Sequence, residues 1–195
     1  MTGPLVRPLL GALLLTTFTG TVAGTAHAPE TDARCGVAPR SYANITSLME
    51  TPPEATPLAT TAGQTLEGGT PASTTERLAV RKLVEEWLAC QNEGRLFSAW
   101  ALFSDAYLYR LISRQPALTE SLYEKWATPQ PTDMPTSSLL EISGERRLDD
   151  GRLGATVRIS YASVPMPKQF FFYFAEQDST LLIDSILGEI SFSVP

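Results

Sequence analysis

Chemistry in this chain has to run without a histidine in the folded part. The only His is His27, and it sits at the end of an apolar leading segment. Acid–base work then falls to carboxylates and tyrosines, and charge stabilisation to arginines. Asp105, Tyr107, Tyr109 and Arg110 gather these types within six residues, and Tyr161 and Asp184 complete the set. A carboxylate in apolar surroundings becomes a better base because burial disfavours its charge. A tyrosine can donate to a developing oxyanion. Asp105 has a competing structural reading. Ser104 or Asp105 stands where a helix begins, and an Asp there satisfies free N–H groups. Asp184 lies in a Leu/Ile-rich run whose period of two turns it to solvent. Arg110 is expected to pair with a nearby carboxylate. A cysteine nucleophile would lack a histidine to activate it. No phosphate loop, metal-ligand cluster or nucleophile elbow is present in the sequence, so neither a cofactor nor a metal is expected.

The two cysteines, Cys35 and Cys90, have a structural use. Residues 1–28 have the form of a secretory signal, with Arg7, an apolar run from Leu9 to Val22, and small residues ending in Ala26-His27-Ala28. This run is 14 residues long, diluted by Thr16, Thr17, Thr19 and Thr21, and falls short of the roughly 20 that span a bilayer, so a cleaved signal is expected rather than an anchor. The mature chain is then secreted or held at the cell-envelope exterior, with no membrane span. Disulfides persist there, and a Cys35–Cys90 bridge is expected. The chain has 15 Lys+Arg against 21 Asp+Glu; loss of Arg7 with the signal leaves 14 − 21 = −7. That acidity argues against nucleic acid and anionic membrane as partners.

Residues 29–50 read as an N-terminal arm tethered by the disulfide, and residues 51–73 as a linker. From Thr51 to Ala72, 17 of 22 residues are Thr, Pro, Ala or Gly, a composition with too little apolar surface to fold. The folded domain is expected over 74–195. Ser73-x-x-Glu76 is a capping box. Val80, Leu83, Val84, Trp87 and Leu88 follow at helical spacing, and Gly94 is a stop signal. Shorter helices are expected over Arg95–Phe103, Ala106–Ser113 and Thr119–Trp126. Beyond Pro135 the period changes to two. Strands are expected over Leu139–Leu148, after the Asp149-Asp150-Gly151 turn around Ala155–Tyr161, over Lys168–Glu176 and over Leu181–Phe192. Val164-Pro165-Met166-Pro167 reads as a connection. Helices followed by an antiparallel meander make an α+β domain.

Three segments carry a resemblance to a known family. Arg81-Lys82-Leu83-Val84-Glu85-Glu86-Trp87-Leu88-Ala89-Cys90-Gln91-Asn92-Glu93-Gly94 resembles the first helix of the nuclear transport factor 2-like (SnoaL-like) family, including its Asn-x-Gly ending. Ala101-Leu102-Phe103-Ser104-Asp105-Ala106-Tyr107 resembles the short second helix and the start of the next. Leu181-Leu182-Ile183-Asp184-Ser185-Ile186 resembles the closing strand, with Leu where the family often has Trp. The resemblance implies a cone-shaped roll of N-terminal helices packed on a bent antiparallel sheet. It also implies a pocket, with Trp87, Trp100, Phe103, Tyr161 and Phe172 as ligand-lining candidates. For Trp87 and Trp100 the competing role is core filling. Enzymes of this fold would use Asp105 with Tyr107 or Tyr109 as an isomerase or hydrolase. The favoured expectation is a non-catalytic domain that binds a small apolar ligand or a partner protein, including a second copy through the sheet. An envelope-associated interaction module with the linker as spacer is the third reading.

Overall fold

The computed structural model describes residues 34–54, 68–115, 118–129 and 136–188. The expected signal with its cleavage point and His27, much of the linker, and the end of the last expected strand fall outside them.

Strong local signals place the helices. Ser73 Oγ accepts from the Glu76 N–H while the Glu76 carboxylate accepts from the Ser73 N–H at 2.6 Å, and this capping box opens α2 (Thr74–Asn92). The stripe Val80, Leu83, Val84, Trp87 and Leu88 is buried as its spacing predicts. Gly94, at φ 66°, takes the left-handed conformation just past the end of α2. Then come α3 (Leu96–Trp100), α4 (Asp105–Ile112) and α5 (Glu120–Ala127), the last two opened by Ser104 and Thr119 side chains. The upstream arm is itself partly helical. It contains α1 (Tyr42–Glu50), whose Ile45 and Leu48 join the core.

The sheet has five antiparallel strands in chain order: β1 (Thr70–Pro71), β2 (Ser137–Arg147), β3 (Leu153–Tyr161), β4 (Val164–Gln177) and β5 (Thr180–Leu187). The domain is therefore α+β, with β2–β5 following the helices and the short β1 preceding α2. Asn92 fastens the two layers, donating to the Ser137 carbonyl at 2.8 Å and accepting from its N–H at 2.9 Å. Within the aromatic run, Phe170, Phe172 and Phe174 are fully buried while Phe171 and Tyr173 are half-buried. Each fully buried Phe contributes about 1.5–3 kcal/mol.

Two expectations about boundaries change. Regular structure resumes before Ser73, because β1 inside the linker region pairs Thr70 with Arg147 and Pro71 with Arg146. Val164–Pro167 is strand, not connection; the turn lies at Ala162 and Ser163. Two prolines are tolerated there because β5 pairs with β4 only as far as Phe171, so this part of β4 is a sheet edge on that side among the described residues. Arg147 at the end of β2 is bonded to Glu76 and to the Gly151 carbonyl while its side chain stays 42% exposed.

Cys35 and Cys90 form the expected disulfide across 55 residues. Loop-closure entropy for that length is about 4 kcal/mol. Among the described residues, no helix is long and apolar enough to cross a membrane.

The capping box has a pH signature. The Ser73 backbone N–H, then the Ser73 hydroxyl, then Arg147 hold the Glu76 carboxyl down from its ordinary 4.5 to about 2. A depressed carboxylate stabilises the fold above its unfolded pKa and loses that effect as pH falls through the folded value. The Glu76 contribution should therefore fade between about pH 4.5 and 2. A carbon-detected NMR titration should place the Glu76 midpoint near 2, and a midpoint above 4 would rule out the box in solution.

Candidate functional site

Asp105 is the first residue of α4, and the N-cap is Ser104, whose Oγ accepts from the Tyr107 N–H. Asp105 is thus not the cap. Its carboxylate instead joins three parts of the chain. Oδ1 accepts from Arg40 in the arm, and Oδ2 accepts from Gln177 Nε2 at 2.8 Å. The Asp105 N–H donates back to Gln177 Oε1 at 3.2 Å, so the pair is reciprocal. Arg40 also donates to the Phe103 carbonyl at 2.9 Å. Both oxygens of Asp105, the acid on which the isomerase or hydrolase reading rests, are held by structural partners.

Its expected tyrosine partners differ: Tyr109, four residues on, shares the helix face of Asp105, and Tyr107 does not. Residues two apart on a helix do not share a face, and Tyr107 points into the core, where it packs on Phe103 at 4.9 Å. Burial pushes the Tyr107 hydroxyl above its ordinary 10.0, so it stays neutral at working pH. Tyr109 is half-buried. Tyr161, at the far end of β3, is half-buried too, and burial raises its pKa.

Asp184 departs most from expectation. It is 1% exposed, not solvent-facing. The register explains why: Tyr173 pairs with Ser185 and the next residue, Phe174, pairs with Ile183, so Asp184 is an extra residue in a bulge of β5. A bulge resets the period of two. Asp184 Oδ1 accepts from Ser104 Oγ at 2.7 Å, and Oδ2 accepts from Arg152 Nη1 at 3.0 Å. Arg152 is buried as well, and it also holds Asp150 at 2.7 Å and lies over the Tyr173 ring at 5.1 Å. Among the described residues, Arg110 does not pair with a carboxylate side chain. It donates to the Asp184 backbone carbonyl at 2.6 Å. The group ties the α4 N-terminus to β5 and to the start of β3, with the visible donors and acceptors matched.

The ligand-lining candidates are mostly interior. Trp87, Phe103 and Phe172 are fully buried and Trp100 nearly so, whereas Tyr161 is not. Trp87 meets Phe172 edge-on at 5.5 Å, and Trp100 meets Phe97 at 5.2 Å. The Trp87 indole N–H is buried without an acceptor among the described residues. Among the described residues, no group of three or more His, Cys, Asp or Glu is placed to hold a metal ion.

Arg40, Ser104, Arg152 and Gln177 organise both polar clusters, and sequence reading gave none of them a site role beyond Ser104 as a cap. Their bonds to Asp105 and Asp184 span 32 to 80 residues, so no local pattern marks those contacts. No family model, curated protein or solved structure matches the chain.

Proposed function

We propose that the protein is a secreted, non-catalytic binding domain of the nuclear transport factor 2-like type, working through its surface on a partner protein. What carries this reading is the engagement of Asp105. Its carboxylate is bonded to Arg40 and Gln177, and no histidine lies beyond His27 to take its place. The α+β order and the capped first helix support the family assignment. The mutual packing of Trp87 with Phe172 and of Trp100 with Phe97 favours a partner at the surface over a small apolar molecule inside.

Asp105→Asn separates this reading from an isomerase or hydrolase. As a structural hub, Asp105 is expected to cost about 1–2 kcal/mol when its charge is removed, since the pair with Arg40 is only partly shielded from water. Thermal unfolding should show the loss as a drop of several degrees. An enzyme using Asp105 as its base would keep its melting temperature and lose about 10²–10⁴-fold in turnover. An unchanged melting temperature would therefore count against the structural role.

A further inference from the structure

We propose that the arm carrying α1 is a strap, which thiol–disulfide exchange releases from the domain as a unit.

The non-covalent hold on the arm is narrow. Of the α1 side chains only Ile45 and Leu48 are buried. Arg40 supplies a backbone bond to the Phe97 carbonyl at 3.0 Å and the side-chain bonds to Asp105 and Phe103. Tyr123 donates to the Arg40 carbonyl at 3.1 Å, Tyr42 donates to the Leu118 carbonyl at 3.3 Å, and the two tyrosine rings lie 5.6 Å apart. The Cys35 N–H donates to Glu93 at 2.9 Å. The arm adds no strand to the sheet, whose ladders run from β1 to β5 without it. The capping box, the α2 stripe and the β2–β5 meander are complete within the rest of the chain.

The disulfide changes this balance because it closes 55 residues of chain. Cutting it returns the entropy of that loop to the open state and multiplies the opening equilibrium by about a thousand. Small units with few buried side chains are the ones that open separately from the global fold.

The exchange needs an external dithiol. Its thiolate attacks Sγ of Cys35, because Cys90 is fully buried and Cys35 is 8% exposed. The Cys35–Cys90 bond breaks, and Cys90 leaves as a thiolate and takes up a proton. The second thiolate of the reagent then displaces Cys35 from the mixed disulfide. The reagent ends as its own disulfide, and the cysteine pair has gained two electrons. Release takes Ile45 and Leu48 out of the core and uncovers Tyr123 and Phe97, whose rings stack at 4.6 Å.

The test is hydrogen exchange by mass spectrometry on the full chain, with and without dithiothreitol at neutral pH. Peptides over 41–50 should exchange about 10²–10³-fold faster once reduced, while peptides over 153–177 keep their protection. Cys35→Ser should give the same pattern without reagent. Unchanged protection over 41–50 would mean that non-covalent contacts alone hold the arm. Joint loss over 41–50 and 153–177 would mean that the arm is not a separate unit. Either result overturns the proposal.

Discussion

Asp184→Ala is expected to destabilise the domain by about 3 kcal/mol or more, at the level seen when one partner of a buried ion pair is removed. The reason lies less in the lost attraction than in what stays behind. Arg152 is 9% exposed at its side chain and would keep its charge. Its second carboxylate, Asp150, is 50% exposed and offers a weaker, wetter partner. Ser104 Oγ would lose its acceptor at 2.7 Å while still capping α4. Asp184→Asn should cost less, because an amide oxygen still accepts from Ser104 or Arg152. Urea unfolding would read the order Ala worse than Asn. A double variant with Arg152→Met removes both charges, and it should lose much less than the two single losses added. Strict additivity, or a loss below about 1 kcal/mol for Asp184→Ala, would show that the pair is not closed in solution.

The same residue shows where sequence reading reaches its limit. Period-two logic handled β3 well, where Ala155, Val157 and Ile159 are buried and Arg158 is exposed. It failed at Asp184 because register is a property of two strands, and the bulge against Tyr173 and Phe174 leaves no mark in one of them. Helix starts were legible since the capping interaction is local. Ser73 and Glu76 are three residues apart, as are Ser104 and Tyr107. The disulfide was legible because two cysteines allow one pairing. Arg40 was not, since it meets Asp105 across 65 residues of chain. The prolines in β4 misled for a related reason. A proline excludes a central strand but tolerates an edge, and only the assembled sheet tells which one it occupies.

Trp87 and Phe172 decide whether the helix–sheet interior is core or pocket. Phe172→Ala is expected to cost about 3–5 kcal/mol, the range for a large aromatic truncated inside a packed core. Phe172 is wholly buried between Trp87, at 5.5 Å, and Phe174, at 6.0 Å. Neighbours held on α2 and β4 cannot move in far enough to refill the space, so most of the cavity term remains. For a domain of about 120 residues the loss corresponds to a fall in melting temperature of roughly 10–20 °C. A wall of an open pocket would respond differently, since removing a ring that already faces water forfeits little packing. A loss near 1 kcal/mol would favour that alternative. Trp87→Phe makes the second comparison. It removes an indole N–H that has no acceptor among the described residues and keeps the six-membered ring. A buried donor without a partner costs about 1–3 kcal/mol, so removing it offsets part of the lost volume. The variant should stay within about 1.5 kcal/mol of the parent, whereas Trp87→Ala should lose as much as Phe172→Ala. If the N–H instead anchored a ligand inside the domain, Trp87→Phe would leave stability alone and release that ligand. Native mass spectrometry of both forms would then show a mass difference beyond the substitution itself, and the surface reading of the domain would give way to an interior one.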